Sequence, residues 1–186
     1  MAGPVITVAL PEPLADQNRG TLDAYLRSLA DAHFEHPQPG YWDLNLEPER
    51  LGIAGSAREG SRPFVVDASD PQNEDGQFFE GGRFIESDWG FLVPLLGFTP
   101  AVMLSVIAMC NDQVDHAAAA LLTAGIMDIV DGVTFVELHD HQVELVRSLT
   151  GVLAAVPATE DESPFALGDG RFLRDFAATP GFRLLK

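Results

Sequence analysis

Apolar residues alternate with polar ones in some stretches of this chain and recur every three to four positions in others, and the two periods assign most of its length. Val5 to Leu10 is rich in β-branched residues and stops at Pro11-Glu12-Pro13, which predicts a first strand. Leu22, Tyr25, Leu26, Leu29 and Phe34 then fall near one face at helical spacing. A helix capped by Thr21 or Asp23 is therefore expected, ending before Pro37 and Pro39. Tyr41 to Leu46 sets Tyr, Asp and Asn against Trp, Leu and Leu, the period of a half-buried strand, and Pro63 to Val66 is another short β-prone run. Asp67 to Gly82 is polar, acidic and glycine-containing, and reads as a long mobile loop.

Trp89 to Asn111 holds no charged residue and on length alone would qualify to span a bilayer. Pro94, Gly97 and Pro100 interrupt it, and its flanks are acidic (Glu86, Asp88, Asp112, Asp115), so a buried helix, a turn and a core strand over Ala101 to Cys110 are expected, with no membrane association. The clearest element follows: Val114, Ala117, Ala118, Leu121, Leu122, Gly125, Ile126 and Ile129 trace the buried face of an amphipathic helix. Asn111 or Asp112 caps it, Asp115 suits its dipole, and Asp131-Gly132 stops it. Val133 to Leu138 reads as the next strand, which makes a right-handed crossover if the two strands lie parallel in one sheet. Val143, Val146, Leu149, Leu153 and Val156 mark a further helix, weakened at Thr150-Gly151. Asp169 caps a short helix carrying Phe172, Leu173 and Phe176, and Phe182 to Leu185 forms a last strand. The sum is an α+β fold: a single domain over residues 1–186, with a mixed β-sheet packed against several amphipathic helices and an acidic mobile loop near 67–82.

Composition narrows the chemistry. At 186 residues the chain can bury a core without staples, and its single cysteine, Cys110, excludes an internal disulfide and Cys₄ or Cys₂His₂ zinc sites. With no signal pattern at the N-terminus, a cytoplasmic protein is expected. The net charge is −17, and no Lys or Arg occurs between Arg83 and Arg147. Such a field repels phosphate backbones, so no nucleic acid is expected, and it attracts basic proteins or metal cations where it does more than maintain solubility; a basic protein partner is the expectation. Asp67, Asp70, Glu74 and Asp75 in the loop, with Asp128 and Asp131 at the helix end, are the candidate partner-binding residues.

Two constellations can carry chemistry instead. Cys110 stands before a helix N-terminus, where a thiol is activated, with His116 as base and Asp112 or Asp115 to orient it. Against this, a His one turn into the same helix points along the helix surface. His139-Asp140-His141, together with Asp115 and His116, supplies mixed N and O metal ligands, but two His one residue apart point to opposite sides of an extended chain, and Asp140 serves as a helix cap. Packing and capping are the preferred uses, and no cofactor is expected. His33 and His36 read as structural or exposed; Gly81-Gly82 and Gly168-Asp169-Gly170 read as turns, not phosphate cradles.

Cys110-Asn111, Asp115-His116, the long helix, the Gly132-Val133-Thr134-Phe135 strand, Phe172-Leu173 and the terminal Pro180, Phe182-Arg183-Leu184 and Lys186 together resemble an uncharacterised, mostly actinobacterial family of small acidic proteins. The resemblance covers roughly the last half of the chain, with Phe176 where the family tends to place a Trp-like aromatic. It implies no catalytic residue. In size and charge the chain is similar to the immunity proteins with which bacteria neutralise toxins. The leading expectation is a non-enzymatic acidic binding protein, an immunity-like inhibitor of a basic toxin or effector. The alternative is a small metal- or cysteine-dependent enzyme using Cys110, His116 and His139 to His141.

Overall fold

The computed structural model describes residues 3–35, 40–54, 60–69, 89–159 and 163–185. β1 (Val5–Leu10) is buried along its length except at Val5, because it lies in the middle of the sheet with a strand on each side. It pairs antiparallel with β5 (Val102–Ala108) and with β6 (Val133–Glu137). From β1 the chain runs through α1 (Asp16–Leu29) to β2 (Ala30–Glu35) at one edge, then returns by β3 (Tyr41–Leu46) and β4 (Arg62–Ser69) toward β5. α2 (Trp89–Leu96) comes between β4 and β5 in the sequence. α3 (Gln113–Met127) carries the chain from β5 to β6, and α4 (Val143–Val146) carries it to β7 (Val152–Val156) at the opposite edge. β8 (Phe165–Gly168) fills the place between β6 and β7, and α5 (Gly170–Ala177) follows.

The strand order is β2-β3-β4-β5-β1-β6-β8-β7, with every neighbouring pair antiparallel. The α+β architecture expected from the two periods is the one that folds, though the sheet is antiparallel throughout and not mixed. β5 and β6 do run in the same direction, as the strand-helix-strand pattern anticipates, but β1 sits between them and pairs with both.

The sheet buries both faces unequally. On one side Ile6, Val8, Leu10, Leu104, Val106, Leu44, Phe64 and Val66 meet the apolar stripes of α1, α3 and α5 in the main core. Phe165 and Leu167 point the other way from Ala166 and form a second cluster with Leu92 of α2 and with Phe135, whose ring stacks on Phe165 at 5.2 Å. The strict alternation of β5, with Val102, Leu104, Val106 and Ala108 buried and the residues between them half-buried, records this two-sided environment. No helix among the described residues is long and apolar enough to cross a membrane.

The loop expected over Asp67–Gly82 begins later, since β4 continues to Ser69, and its residues 70–82 lie outside the described ones; three further expected elements differ and one strand is additional. α1 starts at Asp16, before Thr21 and Asp23, and ends at Leu29; the next residues form β2, which pairs with β3 while Arg50 donates to the carbonyls of Ser28 and Ala30. The helix expected over Val143 to Val156 stops at Val146, since Gly151 takes φ 81° and Val152–Val156 pairs with β8. β8 itself, a four-residue apolar run, was not anticipated. Phe182 to Leu185 is not a strand, because its main-chain groups are bonded to side chains instead.

Candidate functional site

The N-terminus of α3 gathers most of the residues that sequence reasoning singled out. Asp112 is the N-cap, and Asp115 completes a capping box by accepting from the Asp112 N–H at 2.6 Å. Asp115 is fully buried, and Arg62 at the start of β4 grips it through both carboxylate oxygens, Nε to Oδ1 and Nη2 to Oδ2, each at 2.7 Å. Arg62 also donates to Asp112 Oδ2 at 2.6 Å. The Asp115 bond above all, opposed by burial and helped by Asp112, holds the Arg62 guanidinium above its usual range. Arg62 was not singled out from the sequence, since it stands 53 positions from its partner.

His116 is buried as well, and its Nδ1 accepts from the Leu184 N–H at 3.2 Å. Two further side chains hold the same C-terminal segment: Gln113 donates to the Phe182 carbonyl at 2.7 Å and Gln142 to the Arg183 carbonyl at 2.9 Å. Gln142 at the same time accepts from the His139 N–H at 2.8 Å, so one amide joins the turn after β6 to the tail. These three residues act as a clasp.

A 3-10 turn over Asp140–Gln142 follows His139, its extended N-cap, and the two imidazoles lie side by side, ring centroids 5.5 Å apart. Asp140 is inside that turn and not a cap before it. Among the described residues no three His, Cys, Asp or Glu side chains gather as a metal site, so Asp115, His116, His139 and His141 do not converge. Cys110 is half-buried, and its carbonyl is packed so closely against Gly3 that a Cβ there would lie 1.7 Å from the oxygen.

The chain matches, over residues 2–186, a family model described as a family of unknown function (DUF6368). It belongs to that family. The match takes in the acidic segment before Trp89 as well as the second half that carries the resemblance. No curated protein and no solved structure matches the chain.

The acidic candidates of this family member fall in different settings. Asp67 is buried in β4 opposite Tyr41, whose phenol is pushed up first by burial and then by Asp43 and Asp67. Asp128 caps the end of α3 and pairs with Arg174 of α5, while Asp131 is exposed. Asp70, Glu74 and Asp75 lie outside the described residues. The basic-residue gap in the sequence is thus partly closed in space, as Arg62 and Arg174 reach carboxylates inside it. Between α1, α3 and α5 lies an open depression of about 400 Å³ lined by Tyr25, Leu121, Arg50 and Arg174. Both guanidiniums are engaged there: Arg50 with Glu47 and the Ser28 carbonyl, Arg174 with Asp128 and the Ala124 carbonyl.

Proposed function

We propose that this protein is a non-enzymatic acidic binding protein, an inhibitor of the immunity type that covers a basic toxin or effector. The observation that carries the reading is the commitment of Asp115 and His116: each is buried and each holds a distant part of the chain, Arg62 in one case and Leu184 in the other. An enzyme needs titratable groups converging on a pocket, whereas an inhibitor needs a complementary surface on a firm scaffold. The charge of −17 supplies the complementarity, and Asp131 and Asp140 are exposed. Opposite charge brings partners together fast and sets which partners are accepted.

The test is a pull-down from native lysate at low and high salt, followed by association kinetics on what is recovered. A basic protein should come down, with an association rate that falls as ionic strength rises. Charge reversal at Asp131 should slow association more than it changes dissociation. Recovery of neutral or acidic proteins only, or a rate indifferent to salt, would remove the basis of this reading.

A further inference from the structure

The tail after α5, residues 178–185, runs to the N-terminal end of α3 without entering the sheet. Phe182 and Leu184 are its buried anchors, and the Phe182 ring meets Phe176 edge-on at 4.8 Å. Between and beside these anchors the main chain is held by the clasp: Gln113 on the Phe182 carbonyl, Gln142 on the Arg183 carbonyl and His116 on the Leu184 N–H. The two amide bonds are indifferent to pH. The third is not, because Nδ1 can accept at 3.2 Å only while it carries no proton. His116 and Leu184 are both buried, so a second proton on the ring would set two donors face to face and hold a charge out of water.

We propose that the tail is an acid-released strap with His116 as its latch. The closed form excludes a proton that the open form binds, so the strap is latched above the ordinary histidine value of ~6.5 and loosens as pH falls below it. Opening exposes Phe182 and Leu184 together with the apolar surface they cover. The charged groups on the elements around α3 are bound to one another or face solvent. Asp112 and Asp115 on α3 itself are held by Arg62 of β4, and β1 and β5 carry no charge. On α5, Arg171 pairs with Asp169, Arg174 with Asp128, and Asp175 accepts from the Thr150 N–H. On the short 3-10 helix Pro48–Leu51, Arg50 pairs with Glu47 and Glu49 is exposed. Around Gln142, His139 stacks on the exposed His141, Asp140 is exposed, and Glu144 pairs with Arg147; Arg183 in the tail is exposed.

Amide hydrogen exchange of the full chain, followed residue by residue by NMR between about pH 7.5 and about pH 5, tests this. Protection of the Leu184 N–H should fall as pH drops below ~6.5, by at most about tenfold per unit, the limit for a single proton. Val106, buried in the middle of β5, should keep its protection, since acid also relieves the self-repulsion of a chain of charge −17. His116→Asn places a non-titrating oxygen near the position of Nδ1 and should make Leu184 protection independent of pH. Gln113→Ala, which removes a bond that does not titrate, should raise opening at every pH and leave the slope unchanged. Leu184 protection that stays constant over the interval overturns the proposal. So does a loss that Val106 shares equally, which is global unfolding, or a wild-type slope that survives in His116→Asn.

Discussion

Asp115 is charged and fully buried, and its cost is offset only because Arg62 and a main-chain N–H saturate both oxygens. Removing one partner should therefore be worse than removing both. Arg62→Ala is expected to cost about 3–5 kcal/mol, because it strands a buried carboxylate, whereas Arg62→Leu with Asp115→Leu should recover most of that loss. Asp112→Ala, at a side chain 71 % exposed, should cost about 1 kcal/mol as a lost cap. Urea unfolding of the four proteins measures all three differences, and a double variant no more stable than Arg62→Ala would contradict the account. Half of this arrangement was legible in the sequence: Asp112 and Asp115 stand at cap spacing, so the helix start could be read locally. The other half was not, because Arg62 and Leu184 reach α3 only through the sheet and the tail. That is why Asp115 and His116 looked free for catalysis or metal binding.

At the level of elements, the long amphipathic stripe of α3 and the alternation of β3 and β5 were legible because each buries one consistent face. The misread segments are those where the period is short or shared: Phe165 to Gly168 is buried on both faces and has no alternation to see, and Val143 to Val156 holds two elements divided by Gly151. The contact of α1 with α3 offers a sharper test. Gly125 lets the two helices approach, since a Cβ there would fall 1.8 Å from the Tyr25 hydroxyl oxygen. Burial, and after it Asp128, pushes the Tyr25 phenol up to about 12, with Arg174 opposing. A neutral form favoured on folding stabilises the protein fully below the unfolded value near ~10, and this contribution is lost as pH rises from there through about 12. Tyr25→Phe should therefore flatten the alkaline fall in stability. Gly125→Ala should displace the ring and return the Tyr25 titration toward the ordinary range, followed by tyrosinate absorbance. Unchanged titration in Gly125→Ala would mean that the close approach does not set the phenol's environment.

Across the whole molecule, 28 acidic residues face 11 basic ones, so self-repulsion works against the compact state at neutral pH. Two opposing effects then shape the acid side. Mild acidification lowers the net charge and should raise stability, until the carboxylates that the fold holds ionised begin to protonate. Asp169 is one of these: burial opposes its charge, but Arg171 and the N–H groups of Phe172 and Arg171 outweigh that and hold it below the usual range. Its contribution is complete above the unfolded value near ~3.9 and disappears as pH falls through the lower folded value. Salt separates the two effects at neutral pH. Screening should raise Tm by about 2–4 °C for each kcal/mol of repulsion relieved, and by less near pH 5, where fewer charges remain. A basic partner does what salt does, but at one surface and saturably. Its binding should raise Tm most at low ionic strength, and the increment should shrink as salt takes over the neutralisation. Thermal melts with and without the recovered partner, across a salt series, measure that shrinkage. An increment that stays constant would mean that the partner is held by packing alone and that the anionic field serves solubility.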